Sequence, residues 1–258
     1  MKQYQVLVKK EWKQFFKEWK VIWLPMVFIL LGIMQPIAVY YLPFLMDLVG
    51  EEEGVTIDLS AMEQTSSEIF AGTLSSQFDQ LGLIVIAVSI MGMIQIDKKD
   101  GMLDIILTKP VGVKNYVLSK YTSYLLLVLF SIAIGYLTSY GYTVFLFESI
   151  PIQNVLLGFV YYALWIAFIV AFVLLMSSIV KQTALLAIGS IGILFILRAM
   201  NGWNDLIDLI LPSSLSYEAI NQMITGQSSE ILIHIVVIIL WSILLLYLSV
   251  QKLSIRNA

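Results

Sequence analysis

Few residues in this chain have the type and spacing to do chemistry. Its one histidine, His234, lies in an apolar run with no second histidine and no cysteine to share a metal, so a satisfied or interfacial imidazole is expected. No G-x-x-x-x-G-K-[ST] phosphate loop occurs, so the chain cannot cradle a nucleotide in that way. H-E-x-x-H and G-x-S-x-G are absent too, and no paired polar residues share a depth as a membrane-embedded hydrolase would need. What remains is the chemistry of contact. The stretch Asp97 to Lys120, DKKDGMLDIILTKPVGVKNYVLSK, is a charged island between two long apolar blocks. Met102, Leu103 and Ile106 offer a small apolar face too short to span a bilayer, and Asp100 and Asp104 stand at i and i+4, where they could meet basic residues of a partner. Gly101 permits close backbone approach, and Pro110 followed by Gly112 stops the element.

The elements that position these residues follow from composition. Hydrophobic residues make up 59% of the 258 and charged residues only 13%, which defines an integral membrane protein. Apolar runs of about 20 residues match a hydrocarbon core of roughly 30 Å crossed at 1.5 Å per residue, and no alternating strand pattern competes. The expected fold is all-α and polytopic, with residues 1–20 as a cytoplasmic amphipathic interfacial helix and residues 21–258 as a six-helix transmembrane domain. Val8, Trp12, Phe15, Phe16 and Trp19 form the apolar face of the first helix, with Lys10, Lys13, Lys17 and Lys20 opposite. It could serve as a positively charged anchor alone or also pack on a cytoplasmic partner, and the following apolar run is too long for a cleavable signal.

The spans are read as Val21–Met46, Phe78–Ile96, one within Tyr116–Phe147, one within Val155–Val180, Ala184 to about Met200, and Ile231–Val250. Gln35-Pro36 near the middle of the first favours a kink satisfied by a neighbouring helix over a path-lining polar group. Asp47 to Gln77 reads as an acidic solvated loop, with no ligand spacing that defines a metal site. Thr183, Ala187 and Ser190 share a face of the fifth span, which suits either a dimer contact or packing within one subunit. Residues 201–230, cut by Pro212, read as short or re-entrant helices before the sixth span.

Fourteen of the fifteen basic residues fall on one side of this topology, so the positive-inside rule makes the termini, the island (97–115) and the Lys181 turn cytoplasmic and leaves residues 47–77 and 201–230 external. The exception is Arg198, about one turn from the outer end of the fifth span. Snorkelling to the surface is favoured there over a substrate or gating charge.

Six spans, an amphipathic N-terminal helix, a charged loop after the second span and re-entrant helices before the sixth resemble the permease subunit of ABC-2-type ABC transporters. In that family the loop carries a charged cluster, Gly-Thr, an acidic position, a Leu-Leu pair and a Pro. Lys98-Lys99-Asp100-Gly101-Met102-Leu103-Asp104-Ile105-Ile106-Leu107-Thr108-Lys109-Pro110 is similar at Gly101, Asp104, the apolar pair and Pro110, and departs with Met102 where Thr is usual. The resemblance implies a dimer with a second permease copy or homologue and a separate ATP-binding cassette ATPase subunit. The coupling segment would be Lys99, Asp100, Gly101, Met102, Leu103, Asp104, Ile106 and Pro110. ATP and magnesium would then belong to the partner chain, with no cofactor in this one. It lends weight to Thr183, Ala187 and Ser190 as a dimer face, and leaves Gln35 and Arg198 as path or gate candidates. A bacterial plasma-membrane exporter is expected, in contact with lipid and not with nucleic acid. The alternative is a non-transporting anchor or assembly factor whose island docks a soluble partner. Cysteines introduced at Glu52 and Ser228 should label from outside, and those at Lys99 and Lys181 only after permeabilisation. Labelling of Lys99→Cys in intact cells would reverse the orientation.

Overall fold

A backbone in hydrocarbon must satisfy its own hydrogen bonds, and helices do so within each segment. The computed structural model describes residues 2–53, 64–101, 112–227 and 231–255, and all regular structure among the described residues is helical. Among the described residues five stretches are long and apolar enough to cross a membrane: Lys20–Met46, Ser66–Lys99, Val113–Leu146, Ile152–Ile179 and Ile231–Ser254. The expected fifth of six spans is the shorter apolar helix Thr183–Ala199, whose 17 residues reach about 26 Å at 1.5 Å each.

Helix α1 (Lys2–Lys17) meets α2 (Lys20–Glu53) at a corner where Trp19 is left-handed, with φ 59°. That conformation costs a non-glycine residue about 1–2 kcal/mol and turns the chain sharply. Helix α2 continues through Pro25, Pro36 and Pro43. The acidic loop is therefore shorter than the sequence reading, because α2 reaches Glu53 and α3 (Ser66–Gly72) begins twelve residues before Phe78. The early start has a local cause: Thr65 accepts from the Glu68 amide while the Glu68 carboxylate accepts from the Thr65 amide, a reciprocal cap. The second span then runs through a π-helical stretch, Thr73–Gly82, into α4 (Leu83–Ile90) and, after a break, α5 (Gln95–Lys99).

Next come α6 (Val113–Leu146), α7 (Ile152–Ile179), α8 (Thr183–Ala199), α9 (Asp205–Ile210), α10 (Ser214–Thr225) and α11 (Ile231–Ile255). Helix α10 descends along α7: Gly226 lies against Asn154 near the start of α7, Met223 packs at Gly158, and Ser216 reaches Asp79 of the second span. Ten residues separate Gly226 from Ser216, a descent of about 15 Å. Helix α9 sits at a similar depth, since the Trp241 indole, ten residues into α11, donates to the Ile210 carbonyl at 3.2 Å. Both short helices expected between 201 and 230 are present: α10 is packed into the protein, and α9 has no buried side chain.

Helices α2 and α6 touch backbone to backbone. A Cβ at Gly32 would fall 2.3 Å from the Gly135 carbonyl oxygen, and one at Gly135 would fall 2.4 Å from that of Phe28. Glycine permits this approach, and Phe28, edge-on to Phe78 at 5.3 Å, seals the contact toward the second span. Gly135→Val should lower the thermal stability of the purified protein by at least the ~1–3 kcal/mol of an overpacked core. Gly141→Ala, where an added Cβ meets nothing within 4 Å, should leave it unchanged. Equal melting of the two variants would refute the contact.

Candidate functional site

Two polar assemblies lie at opposite ends of the bundle. At the α1 end, Phe15 packs edge-on against Tyr124 of α6 at 4.7 Å, which draws the Glu11 side of α1 into the protein. Glu11 is 1% exposed, as is Lys120 of α6. The Lys120 ammonium lies 2.9 Å from Glu11 and 2.8 Å from Asp97, at the foot of the island. Lys10 bonds the other Asp97 oxygen at 2.6 Å and lies 3.3 Å from Glu11, and the Tyr116 hydroxyl donates to Asp97 at 2.8 Å. Two cations face two anions, so the burial cost of several kcal/mol per ion is met by complementary charge and hydrogen bonds. Burial works against the charge of Lys10, but its hydrogen bond to Asp97 and the fields of Glu11 and Asp97 prevail and raise it above the usual lysine range.

This corrects the expected face of α1. Phe16 and Trp19 turn outward, 62% and 67% exposed, while an acid takes the centre of the buried face. Lys120 needs a counter-charge, and Glu11 supplies it. The sequence carried a signal: Glu11 stands one turn before Phe15 on a helix otherwise rich in lysine.

The second span breaks at residues 91–94, which frees the Ile94 amide to donate to the Ser177 hydroxyl at 3.1 Å. Gln95 accepts from that hydroxyl at 2.6 Å and donates to the Ser177 and Val180 carbonyls at 3.1 and 2.8 Å, tying the Asp97 end of this span to α7. Lys99 and Asp100 are exposed, and Gly101, with φ 66°, ends α5 in a left-handed cap. Its glycine is required by that turn, because nothing lies within 4 Å of an added Cβ. Met102, Leu103, Asp104, Ile106 and Pro110 lie outside the described residues.

At the other end Arg198 turns inward instead of snorkelling. Its guanidinium pairs with the fully buried Asp79 carboxylate and donates to the Ser216 hydroxyl at 2.9 Å, while Ser216 also donates to Asp79. Asp79 sits in the π-helical stretch, a distortion frequent at functional sites. An ionisable residue within an apolar run was the available signal for Asp79; the need of its carboxylate for a cation explains the direction of Arg198. Gln35 packs over Gly72 and accepts from Ser76 at 3.5 Å, serving the second span. Ala187 and Ser190 are buried within the chain and Thr183 is half-buried, while Leu185, Ile188 and Ile196 face outward. Among the described residues no three His, Asp or Glu side chains converge for a metal.

A bundle of long apolar helices stitched by buried ion pairs is the build of a polytopic membrane protein, and the sequence assigns it to a class. The profile of the ABC-2 family transporter proteins matches residues 5–252, and the chain belongs to that family. It is 32% identical over 194 residues to an uncharacterized transmembrane protein, YxlG, of Bacillus subtilis (strain 168), covering 75% of this chain and 74% of the relative.

Removing one member of the Asp79–Arg198 pair strands the other, so Arg198→Met should destabilise the purified protein by about 3–5 kcal/mol. Asp79→Leu combined with Arg198→Met should recover most of that loss in the same melting assay. A double variant no more stable than the single one would show that the charges are not paired.

Proposed function

We propose that this chain is the membrane-spanning permease subunit of an ATP-driven exporter in a bacterial plasma membrane. Its termini are cytoplasmic, it pairs with a second permease, and a separate ATP-binding subunit hydrolyses ATP. The observation that carries this reading is the buried Lys10–Glu11–Asp97–Lys120 cluster. It fastens the foot of the island to both α1 and α6, so a push on the island is delivered to three elements together. Coupling between chains needs a stiff contact that both sides bias, and a solvated turn hung on loose helices would absorb the motion. Gln95 and Ser177 extend the same fastening to α7.

The family's transport role and the island's apolar residues Leu103 and Ile106 support a docking element for the ATP-binding subunit. Replacing both with Ser should leave the permease inserted and dimeric while weakening co-purification of that subunit or uncoupling hydrolysis from transport. If reconstituted transport and substrate-stimulated ATPase activity both match the unmutated protein at equal stoichiometry, the island is not the coupling element.

A further inference from the structure

Two cavities of opposite character adjoin at α9, a helix of six residues with no buried side chain. On one side lies an apolar cavity of about 570 Å³, lined among others by Phe172, Leu206, Ile207, Ile210, Trp241 and Leu245. On the other lies a polar cavity of about 760 Å³, lined among others by Arg198, Asp205, Asp208, Tyr217, Glu218 and His234. The division follows helical spacing: Asp205, Asp208 and Leu209 share one face of α9, and Leu206, Ile207 and Ile210 the other. Both volumes fall within the roughly 300–1,000 Å³ usual for ligand sites.

We propose that the two cavities form one site for a membrane-borne amphiphile with a cationic head and an alkyl tail, the head in the polar cavity and the tail in the apolar one. Charge selects the head. Three carboxylates, Asp205, Asp208 and Glu218, line the polar cavity, while its one guanidinium, Arg198, is already met by the buried Asp79. Asp208 also accepts from the Gly202 amide through both oxygens at 3.0 Å, which fixes one carboxylate in the wall. An independent sign of a ligand is His234. It is 8% exposed, it lines the same cavity, and its Nδ1 has no hydrogen-bond partner among the described residues. In the tautomer with its proton on Nε2, this imidazole offers Nδ1 as an acceptor to an ammonium N–H of a bound head. The tail is selected by Leu206 and Ile210, 73% and 60% exposed, which leave the apolar cavity open on its side. The inference deepens the permease reading, on which it rests for the passage that follows binding.

The test uses the full-length protein alone, in nanodiscs of zwitterionic lipid. A hexadecylammonium probe with a diazirine in its tail is photolysed at increasing concentration, and the labelled peptides are mapped. Saturable labelling in α9 or the Trp241 region of α11, competed by unlabelled hexadecylammonium and not by hexadecyl sulfate, is expected. Asp205→Asn, at an exposed position, and Glu218→Gln, at a buried one, should each weaken the apparent affinity about tenfold or more. Ile207→Trp should abolish labelling by filling the tail cavity, and a melting curve of each variant confirms that it is folded. Non-saturable labelling, equal competition by the sulfate, or an unchanged affinity of folded Asp205→Asn would overturn the inference. Saturable labelling in a protein that never retains an ATP-binding subunit would instead leave the site standing and remove the permease reading.

Discussion

Lys120 places an ammonium group where water does not reach, and the α1 end of the protein is built around that one buried charge. An isolated ammonium in such a place would lose its proton or pull the structure open. Glu11 and Asp97 hold it from two directions, one from a helix before the first span and the other from the end of the second. Neither acid could be spared, because Asp97 also answers Lys10 and Tyr116. The N-terminal helix is thereby part of the bundle, and its outward aromatics, Phe16 and Trp19, are left exposed on its far side.

The same logic at the opposite end gives a different result. Asp79 and Arg198 come from the second span and α8, and Ser216 from α10, so three separate parts of the chain meet on one buried carboxylate. Ser75 and Ser76 each bond the Gly72 carbonyl nearby, which shows how the widened π turns redistribute backbone acceptors among side chains. A polar cavity adjoins this junction, lined by Arg198 itself and by Asp205, Asp208 and Glu218 of α9 and α10.

Long apolar runs made the spans legible in sequence, and Pro212 with its flanking short apolar pieces made the two short helices, α9 and α10, legible too. Pattern could not reveal partners. Arg198 was read against its distance from the outer end of its helix, whereas its direction is set by Asp79, 119 positions earlier in the chain. The start of the second span was hidden because Ser66, Thr73, Ser75, Ser76 and Gln77 read as loop. Inside the bundle Thr73 is satisfied by Ser139 at 2.9 Å and Ser76 by Gly72, so polarity there marks helix packing. Small residues at Ala187 and Ser190 announced close packing, but the pattern carries no information on whether the neighbour lies in the same chain.

The contact of Gly32 with Gly135 has a mechanical meaning. Two helices in register at their backbones have no side-chain layer between them to slide or shear, so α2 and α6 form one beam, anchored to α1 at its foot by Lys120. The last helix, α11, turns much of its surface outward, with Leu232, Leu240 and Tyr247 among its exposed residues, while Ile238, Leu245 and Leu253 join the core. A displacement applied at the α1 end is thus carried along the beam as a unit.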